Sequence, residues 1–215
     1  MRIAREGFPF ILPFIFASVL LLVIGYMYEL QTVIIIGWSL DLLTLLMLFF
    51  FREPQFETHA EDNQILSPAD GKVLTVDSEV PSELNGLVTR LSIFLSILDV
   101  HVNRIPANGE VVNVEFRQGR KYSAFKPQAS TANQRSEIDL ETSNGRIHFR
   151  QITGSVARRV VFTLEPGQQV RAGERFGVMR FGSRMDLFFP ENVDVLVHVG
   201  DKVRGGKTVV AEFRG

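Results

Sequence analysis

Two long apolar stretches near the start of the chain constrain the fold more than any other feature of the sequence. Residues 8–27 are 20 residues without a charge, and residues 30–51 are 22 residues with one, Asp41. As a helix, each stretch is about 30 Å long, which matches the hydrocarbon core of a bilayer. Because Tyr28 and Glu29 alone separate them, we predict an antiparallel helical hairpin in a membrane. A hairpin that dips into one leaflet is the alternative.

The charges around the hairpin predict its orientation. Arg2 and Arg5 precede the first stretch, Arg52 follows the second, and the link between them has no Lys or Arg. Since positive charge is retained on the cytoplasmic side, both ends of the hairpin and the rest of the chain are expected on the cytoplasmic side of the cell membrane. Asp41 is expected to be protonated or to face the other helix, because a charge at that depth costs about 2.5–3.5 kcal/mol.

The remainder of the chain has the pattern of a β protein. A polar linker, 53–63, follows the hairpin region 1–52, and the domain from 64 to 215 alternates apolar and polar residues between turn signals. Ser143-Asn144-Gly145 is the strongest hairpin signal. We therefore predict a mostly β domain, a compact β-sandwich or barrel-like fold. The predicted strands are 87–97, 109–119, 137–142, 146–151, 156–164, 174–182, 185–190, 193–200 and 207–213.

A short repeat lies inside this domain. Segments 167–173 and 200–206 share the pattern G-x-x-V-R-x-G, and glycines at both ends allow positive φ where the chain reverses. Biotinyl and lipoyl carrier domains have similar paired turns. A carrier needs a lysine at the tip of an exposed hairpin, whereas Lys202 lies inside the turn pattern, so a carrier fits poorly.

Composition removes several function classes. The chain has no cysteine and a formal net charge of -1, so disulfides, thiolate metal sites and a global basic field for nucleic acid are absent. The four histidines do not have metal-ligand spacing, and no lysine has the context of a pyridoxal phosphate site. We expect neither a metal nor pyridoxal phosphate. The histidines are His59, His101, His148 and His198.

Three segments combine reactive side chains with turn residues. LSPADGKVLTV (66–76) holds Asp70 in a tight turn. FLSILDVHVNRIPANG (94–109) runs from an apolar strand into Asp99, His101 and Asn103, which alternation puts on one face. GERFGVMRFGSRMDLFFP (173–190) contains Gly182-Ser183 in a strand-like stretch. Each segment alone is ordinary: a β-turn, a structural histidine, a common dipeptide.

Taken together, these segments resemble the phosphatidylserine decarboxylase family, particularly its short form. The motifs LSPADGKV, FLS-x-x-DVHVNR-x-P, ITGSVARR (152–159) and GERFGVMRFGSR-x-DLFFP occur in the order and approximate spacing of that family. The resemblance covers roughly 56–215, and an N-terminal apolar hairpin is also typical of the family.

The resemblance implies that the chain is a proenzyme that makes its own cofactor. The Ser183 hydroxyl would attack the carbonyl of Gly182, and elimination and hydrolysis would leave a pyruvoyl group on residue 183. A large chain, 1–182, and a small chain, 183–215, would stay associated. The pyruvoyl carbonyl would form a Schiff base with phosphatidylserine and accept the electrons released with CO2, giving phosphatidylethanolamine.

The resemblance also implies roles for other residues. A serine hydroxyl needs a base, and His101 with Asp70 are the implied base and its orienting acid, while His101 is also a candidate proton donor after CO2 loss. The long bacterial form of the family has a second histidine shortly after the first. The comparable position in this chain lies near Arg104, which cannot act as a base. Three arginines are candidates for the substrate phosphate or carboxylate, or face solvent and acidic partners: Arg158, Arg159 and Arg184.

Alternatives remain at this point. Gly154-Ser155 is a second Gly-Ser pair, less similar to the family's cleavage site. A related decarboxylase acting on another serine lipid, such as archaetidylserine, shares the reacting head group. A non-catalytic, membrane-anchored β module that binds a partner would show no cleavage at all.

Overall fold

The computed structural model describes residues 2–78, 80, 81, 84, 86–155, 160–179 and 182–214. This part of the chain contains three α-helices and sixteen strands. The helices are α1 (Phe8–Met27), α2 (Gln31–Phe50) and α3 (Ala129–Ala132). The strands are β1 (Arg2–Ile3), β2 (Arg52–Glu53), β3 (Gln64–Leu66), β4 (Gly71–Asp77), β5 (Leu87–Leu95), β6 (Val102–Arg104), β7 (Gly109–Arg117), β8 (Arg135–Thr142), β9 (Gly145–Ile152), β10 (Val160–Phe162), β11 (Gln169–Val170), β12 (Arg175–Met179), β13 (Ser183–Pro190), β14 (Val193–Val195), β15 (Lys202–Val203) and β16 (Val209–Phe213).

The first compact unit, Met1–Phe56, is the helical hairpin. Both helices are long and apolar enough to cross a bilayer, and large apolar side chains such as Phe16 and Trp38 are exposed along them. The helices contact each other through small residues: a Cβ at Gly37 would lie 2.7 Å from the Leu22 side chain. Small residues at such contacts let two membrane helices approach closely.

Two details of this unit extend the sequence prediction. The Asp41 carboxylate lies 2.6 Å from the hydroxyl of Ser18 on α1, so it does face the other helix. Strand β1 pairs with β2 in antiparallel register and joins the two ends of the hairpin. Glu53 therefore belongs to a strand, and not to the linker in which the sequence pattern put it.

The second unit, Glu57–Gly215, is built of three antiparallel sheets, which confirms the mostly β prediction. An eight-stranded sheet has the order β11-β7-β8-β9-β13-β5-β4-β15, and two three-stranded sheets have the orders β10-β12-β6 and β14-β16-β3. The β10-β12-β6 sheet packs on the large sheet: the rings of Phe149 on β9 and Phe176 on β12 meet edge to face with centroids 5.4 Å apart.

Alternation along the central strands decides which residues form the core. On β13, Met185, Leu187 and Phe189 are fully buried in the apolar cluster between the sheets. Arg184 and Asp186 point to the other face of the same strand, because successive strand residues alternate. Burying this apolar face is the main source of stability for the domain.

The hairpin predicted at Ser143-Asn144-Gly145 is present, with a one-residue difference. Thr142 pairs with Gly145, so Ser143 and Asn144 form the two-residue loop and Gly145 opens β9. Its φ of 141° is a conformation that favours glycine.

The two G-x-x-V-R-x-G segments are turns with positive φ at both bounding glycines, as predicted: 84° and 81° at Gly167 and Gly173, and 102° and 70° at Gly200 and Gly206. Each turn carries a two-residue strand, and these strands, β11 and β15, lie at opposite edges of the large sheet.

Each edge strand pairs with one of two further segments that resemble each other in sequence. Strand β15 pairs with β4 at Gly71 and Lys72, within P-A-D-G-K-V (68–73), and β11 pairs with β7 at Gly109 and Glu110, within P-A-N-G-E-V (106–111). Glycine is required for space in both copies, since a Cβ at Gly71 would lie 2.3 Å from the Phe94 carbonyl oxygen and one at Gly109 would lie 2.2 Å from that of Glu141. The domain thus contains two related strand-and-turn units.

Candidate active site at the junction of two sheets

The Gly182-Ser183 bond lies where the chain passes from one sheet to another. Strand β12, which ends at Met179, belongs to the three-stranded sheet, and β13, which begins at Ser183, runs between β9 and β5 in the large sheet. Gly182 has a φ of 65°, a left-handed conformation that costs other residues roughly 1–2 kcal/mol. The bond therefore sits at a change of chain direction, directly before the first residue of β13.

The Ser183 hydroxyl is buried without a hydrogen-bond partner among the described residues. Ser183 is 0% exposed and pairs with Leu95 of β5, and its Oγ makes no hydrogen bond there. Leaving a buried hydroxyl unsatisfied costs about 1–3 kcal/mol. Such an exception needs a reason, and a reactive role is one.

The carbonyl of Gly182 is held against another glycine. A Cβ built on Gly154 would lie 2.0 Å from the Gly182 oxygen and 3.1 Å from its carbon. The two Gly-Ser pairs of the sequence thus meet in space, with the Gly154 backbone directly beneath the carbonyl of the other pair.

His101 directly precedes β6, the strand next to β12. The imidazole is buried, its Nδ1 lies 2.9 Å from the Asp99 carbonyl oxygen, and its own carbonyl accepts a hydrogen bond from the Met179 amide at 3.0 Å. Because a carbonyl can only accept, Nδ1 carries the proton in the neutral ring and Nε2 is the basic nitrogen.

Asp70 lies in the turn before β4. Its Oδ1 accepts a hydrogen bond from the Gly205 amide at 2.8 Å, and the Pro68 carbonyl of the same turn accepts one from the Arg104 amide, also at 2.8 Å. The segment that contains Asp70 is thus bonded to the segment that contains His101, and that segment is bonded to the strand that leads to Gly182. The backbone brings the three predicted segments together.

The prediction that Asp99, His101 and Asn103 share one face holds only in part. Strand β6 begins at Val102, so strand alternation does not extend back to Asp99. The Asp99 carboxylate instead accepts hydrogen bonds from the amide and hydroxyl of Ser96, both at 2.7 Å. Asp99 therefore closes the turn that precedes His101.

Arg184 faces away from Ser183. Its guanidinium is 2% exposed, lies 2.5 Å from the Asp186 carboxylate and donates to the Ser92 hydroxyl at 2.6 Å. It lies on the opposite face of β13, and the structure does not bring it to the Gly182-Ser183 bond. Arg158 and Arg159 lie outside the described residues.

A buried polar chain beside the site was not predicted. The Gln151 amide donates to the Asn103 side-chain oxygen at 2.8 Å and accepts from the Ser136 hydroxyl at 2.8 Å, which links the two sheets. The sequence contained an indication of this chain, because alternation puts Gln151 on the same face of β9 as the core residues Ile147 and Phe149. A polar residue at a core position needs a partner there.

Among the described residues, no group of three or more His, Asp or Glu side chains is arranged to hold a metal ion. The groups that the described backbone bonds connect around the junction are a desolvated serine hydroxyl, the Gly182 carbonyl, the buried imidazole of His101 and the turn that carries the Asp70 carboxylate.

Known proteins are similar to this chain over nearly its whole length. The family described as phosphatidylserine decarboxylase matches residues 43–211. The chain is 41% identical over 214 residues to a phosphatidylserine decarboxylase proenzyme of Pelobacter propionicus, covering 98% of this chain and 96% of that protein. It is 38% identical over 216 residues to a protein of the same name from Rickettsia akari, covering 98% and 90%. A match of this identity over nearly the whole of both chains shows the family, and the chain belongs to the phosphatidylserine decarboxylases.

Proposed function

We propose that this protein is a pyruvoyl-dependent phosphatidylserine decarboxylase that activates itself by cutting the Gly182-Ser183 bond. The single observation that carries the proposal is the Ser183 hydroxyl, buried without a partner among the described residues and directly after a glycine with φ of 65°. A hydroxyl without other hydrogen bonds beside a carbonyl in a left-handed bend is suited to attack that carbonyl.

The first step is an acyl shift from nitrogen to oxygen. The Ser183 Oγ bonds to the Gly182 carbon, the bond from that carbon to the Ser183 nitrogen breaks, and the hydroxyl proton ends on the nitrogen. The resulting ester loses the Gly182 carboxylate by β-elimination, which leaves a dehydroalanine. Water then releases ammonia and leaves the pyruvoyl group as the first residue of the small chain.

His101 is the proposed base for this shift. The Nδ1 contact with the Asp99 carbonyl supports Nε2 as the basic nitrogen, because Nδ1 donates to that carbonyl, and the imidazole is buried away from water. Asp70 is the proposed orienting acid, supported by the backbone bond that joins its turn to β6. In the mature enzyme, His101 is also the proposed donor of the proton that replaces CO2.

The fold is suited to keep both products together. The small chain, 183–215, contains β13, which lies between β9 and β5 of the large chain, and β16, which pairs with β3. Breaking one bond before β13 leaves these pairings unchanged. The pyruvoyl group would supply the electron sink for decarboxylation, at a residue already enclosed in the core.

The proposed substrate is phosphatidylserine in the membrane that holds α1 and α2. The relatives carry that name, and a diacyl lipid leaves a bilayer at a cost of about 0.8 kcal/mol per CH2. The turn before His101 exposes two apolar side chains, Ile97 and Leu98, at 59% and 70%, which supports access from a lipid surface. The arginines that flank the hairpin support a catalytic domain on the cytoplasmic side of the cell membrane.

The test is Ser183→Ala in the full chain. Because this change removes the attacking oxygen, we expect one uncut chain and no CO2 from phosphatidylserine, whereas the unaltered protein gives two pieces, 1–182 and 183–215. Intact mass resolves these outcomes. Ser155→Ala is the matched control at the other Gly-Ser pair, and we expect normal cutting and activity.

Normal cutting of Ser183→Ala would show that residue 183 is not the pyruvoyl precursor. An uncut but membrane-bound natural protein would favour the non-catalytic binding module. Offering archaetidylserine beside phosphatidylserine separates the two lipid substrates.

A further inference from the structure

We propose that Gly154 is a positioning residue for self-cleavage, because its missing side chain leaves the space that the Gly182 carbonyl oxygen occupies. This inference rests on the proposed function and assigns a role to a residue that takes no part in bond making.

The contact is too close for any residue with a side chain. A Cβ at 154 would lie 2.0 Å from the Gly182 oxygen, far inside the separation of about 3.5–4.0 Å at which non-bonded atoms attract. Gly154 is itself buried, and its Cβ would also meet the Ala124 methyl group at 3.4 Å. Something must therefore move if an alanine is introduced.

The Gly154 side of the contact is anchored. The Asn133 amide donates to the Thr153 carbonyl at 2.6 Å and to the Tyr122 carbonyl at 2.7 Å, and Asn133 is fully buried. The Thr153 amide and hydroxyl both donate to the Gln134 carbonyl at 3.0 Å. These bonds hold the backbone just before Gly154 from two sides.

The other side of the contact, Gly182, has open space around its Cα. A Cβ at Gly182 would meet no described atom within 4 Å, so this glycine is needed for its φ of 65° and not for space. The two glycines thus have different functions: Gly182 permits the bend, and Gly154 makes room for the carbonyl. We expect the methyl group of Gly154→Ala to displace the Gly182 carbonyl while Thr153 stays in place.

Displacing the carbonyl would stop the first chemical step. The Ser183 oxygen attacks through a five-membered ring that also contains the Gly182 carbonyl carbon, so the face of that carbonyl must point toward the oxygen. A misplacement of about 1 Å can cost on the order of 100-fold in rate. Gly154 needs no charge or hydrogen bond to have this effect, since it acts by fixing the direction of the scissile carbonyl.

The experiment compares the rate at which the small chain appears in the full-length protein with and without Gly154→Ala. We expect a loss of at least about 100-fold, while Ser155→Ala, one residue along and exposed, cuts at the normal rate. Cooperative thermal unfolding, compared with that of uncut Ser183→Ala, establishes that the Gly154→Ala chain is folded.

A second readout separates positioning from a general loosening of the fold. Neutral hydroxylamine cleaves esters and leaves amides intact, so it reports the product of the first step. We expect no hydroxylamine-sensitive ester in folded Gly154→Ala, because the carbonyl is out of reach. An ester that accumulates in this variant, or cutting at the normal rate, would overturn the inference.

If Gly154→Ala does not fold, Asn133→Ala decides the question. It removes the hydrogen bond to the Thr153 carbonyl, together with the two that tie Asn133 to the Tyr122 backbone, and adds no atoms at the site. A folded Asn133→Ala chain should cut at least about 10-fold more slowly, and a normal rate would refute the role of this anchored backbone. Failure of the natural protein to cut at 182–183 would instead refute the proposed function itself.

Discussion

Asp70 and Asn108 occupy equivalent positions in the two related turns, and they make the same hydrogen bond. The Asp70 Oδ1 accepts from the Gly205 amide at 2.8 Å, and the Asn108 Oδ1 accepts from the Ala172 amide at 2.9 Å. The bond needs a side-chain oxygen but no charge, because a neutral amide makes it at the second turn. A chemical role for Asp70 would therefore rest on its negative charge.

We expect Asp70→Asn to preserve the turn but to slow self-cleavage. Since asparagine already serves at the equivalent position, we expect a melting temperature close to that of uncut Ser183→Ala and self-cleavage at least about 100-fold slower, the magnitude typical of acid-base partners. Gel analysis of the two chains over time measures the rate.

The matched control is the reverse change at the other turn, Asn108→Asp, which should cut normally. If Asp70→Asn also cuts at the normal rate, then Asp70 is only a turn residue.

At the scale of elements, neighbouring strands of the large sheet are joined by polar side chains on the face opposite the core. The Asp139 carboxylate on β8 lies 2.9 Å from the His148 Nδ1 on β9 and accepts from the Asn113 amide on β7 at 3.2 Å. Burial of the Asp139 carboxylate raises its pKa, but the hydrogen bonds from His148 and Asn113 and the charge of Arg146 outweigh this effect. The pKa of Asp139 therefore lies below its ordinary value.

This lowered pKa predicts how stability depends on pH. The ionised Asp139 stabilises the fold above the pKa of the unfolded chain, about 3.9, and this contribution is lost as the pH falls through the lower pKa of the folded state. Asp139→Asn should reduce the melting temperature by about 2–4 °C at pH 7, and the difference should shrink below about pH 4. Circular dichroism melts across this range measure it.

Glu141→Gln provides the comparison for this experiment, because Glu141 forms an exposed pair with Arg146 on the same strand pair. Exposed ion pairs contribute little to stability, so we expect Glu141→Gln to leave the melting temperature almost unchanged. If the melting temperature of Asp139→Asn differs from that of the unaltered protein by the same amount from pH 7 to pH 3, the stability contribution does not depend on the ionisation of Asp139.

At the scale of the whole molecule, the chain divides into two compact units. Met1–Phe56 exposes its apolar side chains, while Glu57–Gly215 encloses its own apolar core and all three predicted active-site segments. A domain with its own core is able to fold alone, and no residue of the proposed chemistry comes from the hairpin.

A chain of residues 57–215 should therefore fold and cut itself in solution, but should no longer sediment with membranes. We expect both chains on a denaturing gel and loss from the membrane fraction after centrifugation, with the full chain as the reference. A folded chain of 57–215 that stays uncut would show that the hairpin contributes to the cleavage site.

The sequence predicted those features that depend on local pattern. Uninterrupted apolar runs of bilayer length determined α1 and α2, since their length and composition leave few alternatives. Period-two alternation determined most strands, including the separation of β12 from β13, although β13 begins at Ser183, two residues before the predicted start at 185. Because β13 begins at Ser183, alternation puts Arg184 on the opposite face, where its guanidinium contacts the Asp186 carboxylate; its charge alone had made it a candidate for the substrate phosphate or carboxylate.

The tertiary structure alone decided which distant residues meet. Gly154 lies beneath the Gly182 carbonyl, and Gln151 reaches Asn103, because strand order and the packing of two sheets bring them together. Side-chain periodicity shows which face a residue occupies, but it does not encode which strand lies opposite. The proposed cleavage bond was readable from a local motif, whereas the backbone that lies against its carbonyl is brought there only by the folded protein.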